Sequence, residues 1–185
     1  NADLSSLRFA AGGGSAIPVA VGNAIQQKFG LPVLEVYGMT ETSSVHTIAF
    51  PDQPIRIGSV GFPMPYAQVR IVKLDASGRA VGDCAVDEIG VVAMAGPGVF
   101  GGYLNEAHNS EAFVEAGWVN SGDLGRLDKD GLLWITGRAK DLVIRGGMNI
   151  SAEGAEGLLL SNPGGREGAV IGYPDAVLGE RVCAV

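Results

Sequence analysis

The sequence predicts a mixed α/β chain: the end of an α/β layer, then a distorted β-barrel, then the start of a small α+β lobe. Three observations lead there. A strand, a glycine turn, a helix and a second strand follow one another between Leu7 and Tyr37. Short apolar runs separated by turn signals fill the middle of the chain. After Gly137-Arg138, strand and helix signals resume and run to Val185. The expected divisions are 1–50, 51–138 and 139–185.

In the first division, the apolar run Leu7 to Ala11 leads into Gly12-Gly13-Gly14. Pro18 suits the opening of a helix that places Val21, Ile25 and Phe29 on one face, and Gly30 with Pro32 ends it. Val33 to Tyr37 is the second strand, completing a βαβ-like unit. In the second division, Val69 to Val72 and Ile89 to Met94 are expected strands. Trp118-Val119, Leu124 to Leu127 and Leu132 to Ile135 are expected shorter ones. Ala76-Ser77-Gly78 and Lys129-Asp130-Gly131 are turn signals, and a helical insert is expected near Asn105 to Phe113. In the third, Leu142 to Arg145 is a strand, Gly146-Gly147 a turn and Ser151 a helix cap. Ala169 to Gly172 and Arg181 to Val185 are further strands.

Composition excludes several functions. The net charge of −7 argues against nucleic acid or an anionic membrane as the main partner, because both require a basic face. A phosphate-bearing ligand must then be held by a local site. Cys84 and Cys183 lack metal-ligand spacing and are too few for a disulfide framework, so idle thiols in a cytoplasmic protein are expected. The apolar runs are too short, and too often broken by glycine or charge, to cross a bilayer, and no signal peptide opens the chain. The chain begins at Asn1 within an apparent strand approach, and a piece of a longer protein is expected.

Some motifs reduce to local structure. Gly96-Pro97-Gly98-Val99-Phe100-Gly101 has the glycine spacing of a dinucleotide loop, but no helical face begins at its third glycine. Without a helix N-terminus the pyrophosphate has nothing to face, and a strand-to-loop corner is the better reading. Asp128-Lys129-Asp130-Gly131 starts like a calcium loop, yet the remaining ligand positions are hydrophobic, which leaves a turn. His46 and His108 have no metal-spaced partners.

Tyr37-Gly38-Met39-Thr40-Glu41-Thr42 differs, because it follows an expected strand at the place where α/β sheets put their ligands. A tyrosine ring can stack on a purine, a threonine hydroxyl can bond a phosphate, and a glutamate can hold Mg²⁺. The same residues equally suit a plain helix start after a strand. Two further motifs favour the first reading. Ser121-Gly122-Asp123-Leu124 sets an acid between strand-like runs, where a carboxylate can accept both hydroxyls of a ribose. Arg138 and Lys140 precede the paired Gly146-Gly147, which suits phosphate or ribose oxygens and then close passage of a slender chain.

Taken in order, these motifs resemble the core motifs of the adenylate-forming superfamily, which contains acyl-CoA synthetases, non-ribosomal peptide adenylation domains and luciferases. Gly12 to Gly14, Tyr37 to Glu41, Gly96 to Leu104, Ser121 to Leu124 and Gly137 to Ile150 carry the resemblance across nearly the whole chain. It is similar above all to bacterial acyl-CoA synthetases of fatty acid metabolism. The resemblance implies an ATP-dependent ligase that forms an acyl-adenylate (a mixed anhydride with AMP) from a carboxylic acid and transfers the acyl group to coenzyme A. The implied alternatives are an adenylation domain loading a carrier protein, or a non-catalytic barrel-based binding module.

The resemblance also implies roles. Gly12, Gly13 and Gly14 would line the adenine and acyl pocket, and Tyr37 would stack on adenine. Thr40 would contact the α-phosphate, Glu41 would hold Mg²⁺, Asp123 the ribose hydroxyls, and Arg138 would contact the nucleotide. Lys140 would be the hinge of the C-terminal lobe, and Gly147 would flank the pantetheine tunnel. The family's phosphate loop and C-terminal catalytic lysine would lie outside these residues, in the remainder of the same chain. By themselves, residues 1–185 are expected to form no adenylate. One departure stands out: Gly154 replaces the glutamate usual at the third position after the Ser151 cap. Gly154 and Gly157 should each cost about 1 kcal/mol in a helix relative to alanine. Gly164, Gly165 and Gly168 likewise stand where the family favours alanine or apolar residues, so weaker docking of the C-terminal lobe is expected.

Overall fold

The computed structural model describes residues 3–53, 55–160, 162 and 168–185. The mixed α/β class holds, with three sheets in chain order. β1 (Ala10–Gly13) and β2 (Val33–Tyr37) pair in parallel, joined by α1 (Val19–Phe29). The helix starts after Pro18 and ends at Gly30, whose φ of 66° is the left-handed stop that glycine adopts without strain. Its buried contact is Gly22, where a Cβ would lie 2.8 Å from Ile57. Ile25 is half-buried, whereas Val21 and Phe29 are exposed. The apolar stripe therefore marks the helix correctly but does not coincide with its packed face. β3 (Thr47–Ile48) and β4 (Phe62–Pro63) extend the sheet antiparallel, in the order β1-β2-β3-β4.

The second sheet contains β5 (Gln68–Leu74), β6 (Ala80–Asp83), β7 (Gly90–Ala95), β8 (Phe113–Glu115), β9 (Trp118–Leu127) and β10 (Leu133–Arg138). Its order is β10-β9-β7-β5-β6, with β8 on β9, and every pairing is antiparallel. This order does not return on itself, so the expected distorted barrel is an open sheet among the described residues. β7 is central and covered on both sides. Val92 and Met94 pack with Val60, Ile71, Val119 and Leu133, while Ala93 faces Val72 and Val114. That split follows from the two-residue alternation of side chains along a strand.

Asp75 and Asp128 build the expected turns by accepting backbone N–H groups two and four residues ahead, at 2.8 to 3.0 Å. The helical insert is a turn at Glu106–His108 followed by the short α2 (Asn109–Ala112). Val60 and Gly61 exchange backbone hydrogen bonds with Leu133 (3.0 and 2.9 Å), which ties the first sheet's flank to the edge strand β10.

The third sheet has β11 (Leu142–Arg145), β12 (Met148–Ser151), β13 (Val170–Asp175) and β14 (Gly179–Ala184), ordered β12-β11-β14-β13. α3 (Ala152–Leu160) forms despite its two glycines. Ser151 does cap it, its Oγ accepting from the Gly154 N–H at 3.1 Å and donating to the Thr136 carbonyl at 2.8 Å. One hydroxyl thus starts the helix and fastens the third sheet to β10. Gly164 and Gly165 lie outside the described residues. At Gly168 a Cβ would make only ordinary contacts. Cys84 and Cys183 are free, part-buried thiols. Among the described residues no helix is long and apolar enough to cross a membrane.

Candidate functional site

The C-terminal ends of β1 and β2 lie side by side, and the chain beyond each turns sharply. Gly13 pairs with Val36, and a Cβ on Gly13 would sit 2.3 Å from the Val36 side chain and 2.6 Å from its carbonyl. Gly14 then takes φ +86°. After β2, Gly38 passes so close to the returning chain that a Cβ would lie 1.8 Å from the Ser44 carbonyl oxygen. No side chain fits at that position. Thr42 closes the turn, its Oγ1 accepting from the Met39 N–H at 3.1 Å and donating to the Met39 carbonyl at 3.0 Å.

Two adjoining cavities open over this floor. One, of about 580 Å³, is bordered by Gly13, Gly14, Tyr37, Gly38, Thr40 and Ser43. The other, of about 450 Å³, shares Gly14, Tyr37 and Gly38 and is bordered also by Ser121, Asp123 and Arg138. Both thus lie at the strand ends where an α/β sheet binds its ligands.

Asp123 borders the second cavity. It lies on β9, opposite Arg138 on β10, and is 7% exposed. The Tyr37 hydroxyl donates to its Oδ2 at 2.6 Å, and the Arg138 Nε donates to its Oδ1 at 3.0 Å. The Arg138 side chain is 68% exposed and reaches out from the wall. Burial first, and the Asp123 charge second, push the Tyr37 phenol well above its ordinary value, so it remains a neutral donor. A buried carboxylate held in this way, with a guanidinium at the rim, can accept vicinal hydroxyls while the cation meets a neighbouring anion.

The structure therefore brings Gly13, Gly14, Tyr37, Thr40, Asp123 and Arg138 to the cavity walls. It places the other candidates elsewhere. Gly12 sits behind Gly13, where a Cβ would meet Ile17 at 2.8 Å. Gly147 is in the exposed β11–β12 turn with φ +84°. Lys140 is exposed in the single turn Ala139–Asp141, the link from the second sheet to the third. Glu41 is half-buried beside the cavity floor, and its Oε1 accepts from the Tyr103 hydroxyl at 2.5 Å.

Glu41 is one carboxylate with a hydroxyl neighbour, Thr40, and among the described residues no group of three metal-ligating side chains occurs. Such a donor set suits Mg²⁺ carried with phosphates, since that ion takes one or two carboxylates and fills its shell with phosphate oxygens and water. Among the described residues, the walls of the second cavity carry four carboxylates, Glu35, Asp123, Asp141 and Glu153, and one cation, Arg138.

Sequence reasoning missed Glu153, Asp141 and Glu35. Glu35 is two residues before Tyr37 on β2, on the same face, and accepts from the Gly58 N–H at 2.9 Å, a structural bond. Glu153 belongs to the first turn of α3, and its carboxyl is raised by burial and then by the nearby Asp123 carboxylate. No local signal marks it, because the third sheet's docking brings it there. His46 is a satisfied core histidine, its Nε2 3.0 Å from the Gln68 carbonyl.

Comparison with known proteins adds an independent line. Residues 1–104 match the family of AMP-binding enzymes. The chain is 40% identical to the marinolic acid–CoA ligase of Pseudoalteromonas sp. (strain SANK 73390), over 96% of this chain and 27% of that protein. It is also 40% identical to the medium-chain fatty-acid–CoA ligase of Escherichia coli (strain K12), over 99% of this chain and 32% of that protein. The chain thus spans between about a quarter and a third of the length of these curated relatives. Among solved structures it superposes on the o-succinylbenzoate CoA synthetase of Bacillus subtilis in complex with its acyl-adenylate intermediate. There the TM-score is 0.86 and the identity 35%, over 97% of this chain and 36% of that one.

Proposed function

The chain belongs to the AMP-binding enzyme family, and from that premise we propose that the whole protein is an ATP-dependent acid–thiol ligase. The carboxylate displaces pyrophosphate from the α-phosphorus of ATP to give an acyl-adenylate, and the thiol of coenzyme A then displaces AMP to give the thioester. The observation that carries this reading is the convergence of Tyr37, Asp123 and Arg138 on one cavity from β2, β9 and β10. The names of the similar proteins, which are CoA ligases and a CoA synthetase, support the choice of acceptor.

Attack of a carboxylate on an α-phosphate brings two anions together, so the protein must position them and offset charge. In this reading Asp123 accepts the ribose hydroxyls, Arg138 meets nucleotide oxygens, and Tyr37 offers its ring to adenine. Gly13 and Gly14 face the adenine and acyl groups with backbone alone, a role their place on the cavity walls supports, while Gly12 packs behind them. Thr40 bonds the α-phosphate, and Glu41 holds Mg²⁺. When bound, the ion neutralises phosphate charge. Residues 1–50 and 51–138 form the large part of the enzyme, and 139–185 begin a lobe that turns about Lys140 between the two half-reactions. The place of Lys140 in the exposed link between the second and third sheets supports the hinge. Gly147 flanks the thiol's approach in the turned state.

The test is thioester formation by the whole protein, supplied with ATP, Mg²⁺ and a panel of carboxylic acids. Acyl-CoA should accumulate with at least one acid. Adenylate formation without any transfer to coenzyme A, but with transfer to a phosphopantetheinylated carrier protein, would reassign the acceptor.

A further inference from the structure

The loop after β7, whose glycine spacing failed as a dinucleotide motif, is fastened to the Thr40–Thr42 turn at several points. The Phe100 N–H donates to the Glu41 carbonyl at 2.8 Å, and the Ser43 hydroxyl donates to the Gly98 carbonyl at 2.8 Å. Gly98 lies so near that a Cβ would be 3.1 Å from the Thr42 carbonyl oxygen. At the loop's far end the Tyr103 hydroxyl donates to Glu41 Oε1 at 2.5 Å, across 62 residues of sequence.

Tyr103 is 41% exposed, yet it is held at its backbone, its ring and its hydroxyl. Its N–H donates to Asn109 Oδ1 at 2.7 Å, and its ring stands edge-on to Phe100 with centroids 4.9 Å apart. His108 lies edge-on at 6.3 Å. Gly102 takes φ +130°, and a Cβ there would lie 3.0 Å from the Asn109 amide. These contacts favour one position for its oxygen. Glu41 makes no other side-chain hydrogen bond, so Oε2 is unengaged among the described residues.

We propose that Tyr103 is a positioning residue for Glu41: the loop from Gly96 to Tyr103 clamps the turn and fixes the carboxylate with Oε1 taken and Oε2 presented to the metal. The proposal rests on the reading of Glu41 as the Mg²⁺ ligand. A partner that orients a ligating carboxylate reduces the rearrangement needed when the ion arrives, and it biases binding towards one oxygen. It also gives a role to the glycines of the loop, since two of them admit the close approaches on which the clamp depends.

The experiment uses the whole protein carrying Tyr103→Phe, which removes one oxygen and keeps the ring contacts. Mn²⁺ affinity is measured by electron paramagnetic resonance in the presence of a non-hydrolysable ATP analogue, beside the KM for the acid and the thermal midpoint. Tyr103→Phe should weaken Mn²⁺ binding about tenfold, the lower end for an outer partner of a metal ligand, with acid KM and midpoint unchanged. Asn109→Ala, which loosens the loop but keeps the phenol, should weaken binding in the same direction by less. Glu41→Gln serves as the reference. If Glu41→Gln weakens Mn²⁺ binding and Tyr103→Phe leaves it unchanged or tightens it, the positioning role is overturned and the metal role of Glu41 stands. If Glu41→Gln has no effect, the metal reading itself fails and the proposal falls with it. Parallel losses in Mn²⁺ affinity, acid KM and midpoint would make Tyr103 a structural residue and also overturn it.

Discussion

Replacing Tyr37 by phenylalanine removes a single oxygen and leaves the ring in place, so it separates the two jobs the residue combines. The lost group donates to Asp123 Oδ2 at 2.6 Å, while Arg138 holds the other carboxylate oxygen at 3.0 Å. A hydrogen bond to an ionised acceptor contributes roughly 1.5–3 kcal/mol. Asp123 borders a cavity that admits water, which can replace the phenol in the free protein. The cost to stability should therefore be below about 1 kcal/mol. In the proposed nucleotide complex the ribose would exclude that water, and the carboxylate would be held by fewer partners. A loss of about 1 kcal/mol there corresponds to roughly a fivefold rise in KM for ATP. The assay is initial-rate kinetics with ATP and with its 2′,3′-dideoxy analogue, in the Tyr37→Phe protein and in an Asp123→Ala background. The penalty should be confined to ATP and should vanish once Asp123 is gone, because the two changes act on one interaction. An equal penalty on both nucleotides, or one that persists without Asp123, would refute the reasoning.

Further outcomes follow from other parts of the molecule. Gly38→Ala should lower the thermal midpoint by roughly 6 °C or more, because a Cβ 1.8 Å from the Ser44 carbonyl forces backbone to move at a cost of about 3 kcal/mol; a midpoint within one degree of the parent would contradict the packing. Burial alone would raise the Asp128 carboxyl, but bonds from Trp134 Nε1, the N–H groups of Leu132 and Asp130, and Arg56 outweigh it and hold it below its ordinary 3.8. Asp128→Asn should thus cost stability at neutral pH, with the difference shrinking as pH falls below that value, as urea unfolding at several pH values would show. Lys140→Pro fixes φ near −65° and should spare adenylation while impairing thioester formation. Equal loss in both half-reactions with the fold intact would leave Lys140 an ordinary surface cation.

Much of the fold was legible because local chemistry decides it. Pro18 and Gly30 bracket α1, the carboxylates of Asp75 and Asp128 close their turns, and Ser151 caps α3 strongly enough to start a helix containing Gly154 and Gly157. The sequence divides β9 into two runs because Asn120 to Asp123 interrupts the apolar pattern. The structure carries one strand through from Trp118 to Leu127, with the Ser121 hydroxyl bonded to the Val92 carbonyl at 2.8 Å and Gly122 at φ +75°. The interruption is the site itself, where polar groups replace packing. The open edge of the second sheet could not be read, since closure depends on pairings far apart in sequence. The ordered motifs pointed to Tyr37, Thr40, Asp123 and Arg138, and the fold brings these four to the cavity walls. The Tyr103 hydroxyl on Glu41 and the approach of Glu153 towards Asp123 depend on how distant segments dock, and neither leaves a pattern along the chain.

Adenylate formation is tested most directly by ATP–pyrophosphate exchange in the whole protein, measured with radiolabelled pyrophosphate across a panel of carboxylic acids. Exchange should depend on a particular acid and on Mg²⁺, and Asp123→Ala should abolish most of it. Exchange that is absent with every acid, or that proceeds equally well without Asp123, would contradict the assignment of this cavity as the nucleotide site.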